Sequence, residues 1–121
     1  MPFEDDTQAL ADILENIGLV SEFTHDMPFA AFADDKRTLY AASRCLEVIS
    51  EASRRLTEAT QSRYDLPWRA IADLGNFCRH EYHKVLSERV WATARQGLGP
   101  LKAAVEHELR ARGLSEPETP T

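Results

Sequence analysis

The sequence has few of the residues that mark disulfide-bonded, zinc-binding or membrane-spanning proteins. Its 121 residues include only two cysteines, Cys45 and Cys78, which are too few for a disulfide framework or a zinc ligand set and favour a reduced cytoplasm. No apolar run approaches the roughly 18 residues of a transmembrane helix, and the acidic first residues do not resemble a signal peptide. One cytoplasmic domain is therefore expected, because a chain of this length leaves little room for two.

Lysine and arginine are absent from the first 35 residues, although nine acidic groups lie there. The whole chain has a net charge of −6, but residues 36–112 hold all 14 basic groups against nine acidic ones, a net of +5. A basic segment permits a phosphate-bearing partner, while mixed solvated charge on helix surfaces is the alternative interpretation. If the partner is RNA, we expect it to contact this segment rather than the first helix.

Apolar residues recur at spacings of three and four along most of the chain, and no segment shows the period of a strand. The pattern predicts an all-α, four- to five-helix up-and-down bundle over residues 1–112, followed by a flexible acidic tail over 113–121. The first three expected helices lie near residues 6–23, 34–63 and 68–82. A last helix is expected after a cap at Ser87, with a break or kink at 97–100 and an end at Gly113.

Local signals add detail to the first two helices. Asp5 and Gln8 are spaced as a capping box, and Asp34 or Asp35 is a good N-cap for the second helix. Residues 24–34 contain Pro28 and are expected to form a loop whose phenylalanines, Phe29 and Phe32, fill the core. The second helix also carries a line of small or modest residues, which would admit another helix inside the bundle or a second subunit. That line consists of Ala41, Cys45, Val48, Ala52 and Ala59.

The third predicted helix carries a polar cluster. At about 100° per residue, one arc of roughly 100° presents four polar side chains together, opposite an apolar face. The cluster is Asn76, Arg79, His80 and His83, and the apolar face is Ile71, Leu74, Phe77, Cys78 and Val85. Tyr82 falls at the edge of the apolar face, where its ring is expected to pack and its hydroxyl to stay in water.

These residue types are suited to phosphodiester chemistry or to phosphate binding. A histidine exchanges protons near neutral pH, and an arginine fork fits a phosphate. A solvated helix face that carries histidines by chance is the alternative. The sequence shows no phosphate-binding glycine loop, catalytic Cys–His pair or metal-ligand spacing, so neither a cofactor nor a metal is predicted. Both cysteines are expected to be small buried hydrophobes.

The segment LPWRAIADLGNFCRHEYHKVLSERVW, residues 66–91, resembles the HepT-like family of the HEPN superfamily. The positions in register with that family are Pro67, Trp68, Ile71, Ala72, Asn76, His80, Tyr82, Val85, Val90 and Trp91. Leu46–Leu56 also resembles the second helix of the family, and the resemblance extends over about residues 9–112.

The resemblance implies a homodimeric helical bundle. The better-known members are toxins of toxin–antitoxin pairs and act as metal-independent ribonucleases on RNA. Their partners are MntA-like nucleotidyltransferase antitoxins, which add AMP to the tyrosine of the H-x-Y block. By this resemblance His80 is catalytic, Tyr82 is the modified residue and Asn76 supports the site.

The sequence departs from the family at one position of the motif. Gly75 stands where the catalytic arginine of the family is expected, and Arg79 is a candidate substitute. Two functions follow from this departure. One is a ribonuclease toxin that uses His80 and Arg79, with Asn76 and His83 in support, and the other is a catalytically inactive HEPN subunit that binds a nucleotidyltransferase or is modified by it. A plain dimeric scaffold with an exposed His-rich face is a third alternative.

Overall fold

A computed structural model describes residues 5–80 and 82–114, apart from the side chain of His80. The regular elements in these ranges are all helical, which confirms the predicted all-α bundle. They are α1 (Thr7–Thr24), α2 (Phe29–Asp34), α3 (Lys36–Arg55), α4 (Glu58–Ser62), α5 (Trp68–Ala72), α6 (Leu74–His80), α7 (His83–Ala92), a π-helical segment (Thr93–Gly97) and α8 (Gly99–Ala111). Within the described ranges, no helix combines the length and the hydropathy that a membrane span requires.

Helix α3 is the central element of the bundle. It packs against α1, α2, α5, α6 and α7. The apolar lines of α1 and α3, spaced by three and four residues, are buried where they face each other across the core. They are Leu10, Ile13, Ile17 and Val20 on α1 and Leu39, Ala42, Leu46 and Ile49 on α3. The fully buried larger apolar side chains are Leu10, Ile13, Val20, Phe32, Leu39, Leu46, Ile49, Val90 and Val105. A central α3 fixes the position of the helix α6 that carries the polar cluster.

The start of α3 confirms the predicted cap, but its end differs from the prediction. Asp35 is the N-cap, and its Oδ1 accepts a hydrogen bond from the Thr38 backbone N–H at 3.2 Å. The predicted continuation to Arg63 is wrong, because α3 ends at Arg55. Thr57 then caps the short helix α4, and its hydroxyl accepts from the Thr60 N–H at 3.1 Å.

Two predictions near the N-terminus are also wrong. The capping box does not form, because Asp5 accepts from the Thr7 N–H at 2.9 Å and the Gln8 amide donates to Asp12 at 2.8 Å. The expected loop contains helix α2, which begins directly after Pro28.

The two phenylalanines of α2 have different environments. Phe32 is fully buried, as predicted. Phe29 stays 36% exposed and meets Trp91 edge-on, with ring centroids 5.9 Å apart.

The C-terminal half breaks where predicted. The π-helical segment is followed by Leu98 and by α8, which has Pro100 in its first turn. Gly113 has a φ of +77°, and the N–H groups of Gly113 and Leu114 close the helix on the carbonyls of Arg110 and Leu109 at 2.9 and 2.8 Å. The division of the chain into a domain and a tail stays a prediction, since residues 115–121 lie outside the described residues.

Ser87 is not the cap that the sequence predicts. It lies inside α7 and is buried. Its hydroxyl donates to the Lys84 carbonyl at 3.0 Å.

Candidate functional site

Helix α6 lies directly against α3 at Gly75. A Cβ built on Gly75 would lie 3.4 Å from the Ser50 hydroxyl oxygen and 3.7 Å from the Glu47 Cα, both on α3. Gly75 is itself buried. A long cationic side chain at this position would therefore start inside the contact between the two helices.

The break between α5 and α6 is stabilised by α3. The helix turns at Asp73, and the Asn76 N–H donates to the Asp73 carbonyl at 3.0 Å. The Ala72 carbonyl instead accepts from the Ser50 hydroxyl and from the Arg54 guanidinium. Both donors come from α3, so a tertiary contact satisfies the carbonyl that the break leaves free.

Asn76 and Arg79 lie together on the exposed side of α6. The Asn76 amide is 3.4 Å from Asp73 Oδ1, which is a weak hydrogen bond. The Arg79 Nε is 3.7 Å from Glu47 Oε2, and the Arg79 side chain is 60% exposed. A guanidinium and an amide in this arrangement are accessible to a phosphate from solvent.

The predicted third helix is interrupted after the motif. Helix α6 ends at His80, whose side chain lies outside the described residues, as does Glu81. Tyr82 is extended, with φ −63° and ψ 154°, and it precedes α7. The wheel that placed His83 on the face of Asn76 and Arg79 is therefore wrong, because His83 begins a new helix.

The environments of the residues around this break differ from those predicted. His83 Nε2 lies 3.0 Å from the Ala33 carbonyl, so its ring is held against α2. Tyr82 is 86% exposed, and its ring does not pack as expected. Val85, predicted on the apolar face, is 38% exposed because α7 has a register of its own.

The cysteines are poor nucleophiles. Cys45 is buried, and burial raises the pKa of its thiol. Burial and the nearby Glu47 carboxylate raise the pKa of the Cys78 thiol to about 11, although Cys78 is only half-buried rather than fully buried as predicted. Among the described residues, no three His, Cys, Asp or Glu side chains are grouped closely enough to hold a metal ion.

A second polar cluster, which the sequence did not predict, joins the start of α1, the region of α4 and the end of α8. It is called the Glu108 cluster here and consists of Asp6, Thr60, Arg63, Tyr64, His107, Glu108 and Arg112. Glu108 is only 4% exposed, and its carboxylate accepts from Arg63 at 2.8 and 3.2 Å, from Tyr64 at 2.9 Å and from Arg112 at 2.9 Å. These donors, with Arg63 foremost, hold the pKa of Glu108 at about 2.

The Glu108 cluster joins distant parts of the chain. Arg112 also pairs with Asp6 at 2.7 Å and donates to Thr60 at 3.0 Å, and so connects α8 with the chain before α1 and with α4. An open cavity of about 720 Å³ lies beside it. The charged side chains Asp6, Arg63, Glu108 and Arg112 are paired with one another, so the Glu108 cluster stabilises the fold. One sequence signal was present: Glu108 occupies a buried position in the three-and-four spacing of Leu101, Ala104, Val105 and Leu109.

The protein is an all-helical bundle in which α6 exposes two groups that can bind a phosphate, the Asn76 amide and the Arg79 guanidinium. The family described as "Ribonuclease HepT-like" matches residues 13–108. "Probable ribonuclease HepT" of Thermococcus cleftensis is 35% identical over 98 residues, which cover 80% of this chain and 89% of that protein. "Putative RNase MJ0127" of Methanocaldococcus jannaschii is 40% identical over 92 residues, which cover 75% and 76%. No solved structure matches the chain significantly.

The chain belongs to the HepT-like ribonuclease family. This confirms the resemblance that residues 66–91 carry. The match over residues 13–108 includes both the central helix α3 and the whole of α6 and α7.

Proposed function

We propose that this protein is a metal-independent endoribonuclease and the toxin of a toxin–antitoxin pair. The observation that carries the proposal is the exposed pair Asn76 and Arg79 on α6, in the helix that ends at His80. Membership of a ribonuclease family supports RNA as the substrate. The net of +5 over residues 36–112 supports a polyanionic partner on this part of the surface.

The proposed reaction uses the 2′-hydroxyl of RNA as the internal nucleophile. His80 takes the proton of that hydroxyl, the 2′-oxygen bonds to phosphorus, and the bond from phosphorus to the 5′-oxygen breaks. A proton returns to the leaving 5′-oxygen, which gives a 2′,3′-cyclic phosphate and a free 5′-hydroxyl. Arg79 stabilises the charge that develops on the phosphoryl oxygens, and Asn76 supports binding.

A homodimer is part of the proposal, because one α6 presents only one set of these groups. Two subunits would bring two α6 helices to a shared cleft, where Arg79 of one subunit serves a phosphate beside His80 of the other. The Arg79 Nε lies 3.7 Å from Glu47 Oε2, and an ion pair of that length at an exposed site is weak. The Arg79 guanidinium therefore remains available to bind a phosphate.

The first prediction is that the purified protein cleaves single-stranded RNA in the presence of EDTA. The products should carry 2′,3′-cyclic phosphate ends, detected by mass spectrometry of the fragments. The same sequence with 2′-O-methyl groups, or as DNA, should stay intact because it has no internal nucleophile. Equal stability of RNA and 2′-O-methyl RNA during prolonged incubation would contradict ribonuclease activity.

A second candidate function is a catalytically inactive subunit that binds and is modified by a nucleotidyltransferase. Two observations favour it: Gly75 faces α3 and offers no cation, and Tyr82 is 86% exposed just after α6. A bulky adenylate on Tyr82 would add negative charge next to Asn76 and Arg79 and repel RNA. Under the toxin proposal, the same modification by an MntA-like antitoxin is the means of neutralisation.

We expect AMPylation at Tyr82 when the chain is co-expressed with such a nucleotidyltransferase. Intact-mass measurement should show an added adenylate on the wild type and none on Tyr82→Phe, with exposed Tyr40 as the internal control for nonspecific modification. RNA cleavage by the unmodified chain separates the toxin from the inactive subunit. Absence of both a complex and an adduct would exclude this partner class.

A further inference from the structure

Arg54 is an exposed cation of α3, and its guanidinium contacts the chain at Ala72, just before α6. Its guanidinium donates to the Ala72 carbonyl, next to the Ser50 hydroxyl that binds the same oxygen. A carbonyl is neutral, so this hydrogen bond orients the guanidinium but does not balance its charge. Among the described residues, no carboxylate forms an ion pair with Arg54, whereas Arg55 pairs with Asp12 at 2.8 Å.

The antiparallel contact between α3 and α6 places Arg54 on the same side of the bundle as Arg79. Glu47 lies beside Gly75 and Arg79, Ser50 lies beside Gly75, and Arg54 reaches Ala72. Helix α3 is continuous from Lys36 to Arg55, so Glu47 and Arg54 lie on the same face of it, two turns or about 10.5 Å apart along the axis. Arg79 approaches Glu47 and Arg54 binds the Ala72 carbonyl, so both guanidiniums lie along this face of α3. Asn76 lies between Ala72 and Arg79 in the chain.

We propose that Arg54 is a second phosphate-binding residue of the candidate site, and that with Arg79 it holds the RNA backbone across Asn76. The proposal rests on the proposed ribonuclease function. It assigns to α3 the positive charge that α6 does not have at Gly75, which packs directly against Ser50 and Glu47.

The arrangement suits an anion better than it suits a structural ion pair. A guanidinium has five N–H donors in a fixed fork, and the Ala72 carbonyl accepts from only one of its terminal nitrogens. The remaining donors are free to form the paired hydrogen bonds that phosphate oxygens accept. Arg79 shares its charge with Glu47, whereas Arg54 has no such partner among the described residues.

The experiment compares RNA binding by the wild type and by the Arg54→Gln, Arg54→Lys and Arg44→Gln variants of the whole chain. Binding is measured by fluorescence anisotropy with a single-stranded 2′-O-methyl RNA, which cannot be cleaved, over about 50 to 200 mM salt. Arg54→Gln should weaken binding about tenfold and reduce the slope of log affinity against log salt by about 0.7, the value for one phosphate contact on a single strand. Arg54→Lys should retain most of the slope because it keeps the charge.

Arg44→Gln is the matched control, since it removes the same charge from the exposed side of the same helix, about 15 Å further along the axis. It should bind like the wild type. Circular dichroism and thermal unfolding confirm that each variant is folded. If Arg54→Lys loses RNA binding as much as Arg54→Gln does, Arg54 has a structural role and the proposal is overturned. Unchanged affinity and salt slope in Arg54→Gln, with normal cleavage of RNA by the wild type, would overturn it and leave the ribonuclease function intact. A wild type that neither binds nor cleaves RNA would overturn both.

Discussion

Glu108→Gln is expected to lower the free energy of unfolding by about 3 kcal/mol. The carboxylate of Glu108 is almost completely buried and accepts four hydrogen bonds from Arg63, Tyr64 and Arg112. A glutamine has one carbonyl oxygen and one NH₂ group. Its NH₂ would face a guanidinium N–H with no lone pair to offer, and both arginines would lose their shared counter-charge.

The pH dependence of stability gives an independent measure of the same interaction. The contacts lower the pKa of Glu108 from 4.5 to about 2 in the folded chain. Because the folded value is the lower one, the stabilisation is complete above about pH 5 and is lost as the pH falls toward about 2. A shift of this size corresponds to about 3 kcal/mol, since each unit is worth about 1.4 kcal/mol.

Urea unfolding of the wild type and of Glu108→Gln at a series of pH values tests both statements. The difference between them should be about 3 kcal/mol near neutral pH and should shrink as the pH falls below about 4. Glu15→Gln, at an exposed position of α1, is the matched control and should change stability by less than about 0.5 kcal/mol. A difference that stays constant down to pH 2 would show that the loss comes from packing and not from the ion pairs.

The sequence predicted those parts of the fold that depend on nearby residues. The stripe from Leu10 to Val20 and the cap at Asp35 are local, because each involves residues within one helix or one turn. The end of α3 at Arg55 is different. The Thr57 N–H, just beyond it, donates to Asp6 at 2.9 Å, and that contact joins residues 51 positions apart. No periodicity within residues 56–63 could reveal it.

The candidate site was predicted in composition but not in geometry. Asn76 and Arg79 share an exposed side of one helix, as their spacing indicates. The turn at Asp73 and the end of α6 at His80 were missed, and these breaks separate His83 from that side. The first break depends on Ser50 and Arg54, which bind the Ala72 carbonyl from α3, more than 15 residues earlier in the chain. A helical wheel assumes continuous backbone hydrogen bonding and has no information about such donors.

His80→Ala is expected to reduce RNA cleavage by a factor of about 10² to 10⁴, the usual contribution of a general acid–base group. The backbone of His80 ends α6 beside Asn76 and Arg79, so an imidazole at this position is the proton carrier that the proposed reaction requires. Single-turnover cleavage of a short RNA, followed from acidic to mildly basic pH, measures the effect. The wild type should show a bell-shaped profile that the variant lacks.

The stability of His80→Ala provides the control for its activity. Since α6 is held against α3 through Gly75 and the Ala72 carbonyl, which lie at and before the start of α6, we expect the variant to bind uncleavable RNA with an affinity close to that of the wild type. His25→Ala, in the exposed turn after α1, should cleave RNA normally. A His80→Ala variant that binds RNA and still cleaves it within a factor of about three of the wild type would remove His80 from the chemistry. The proton transfers would then have to be assigned to another residue near Arg54 and Arg79.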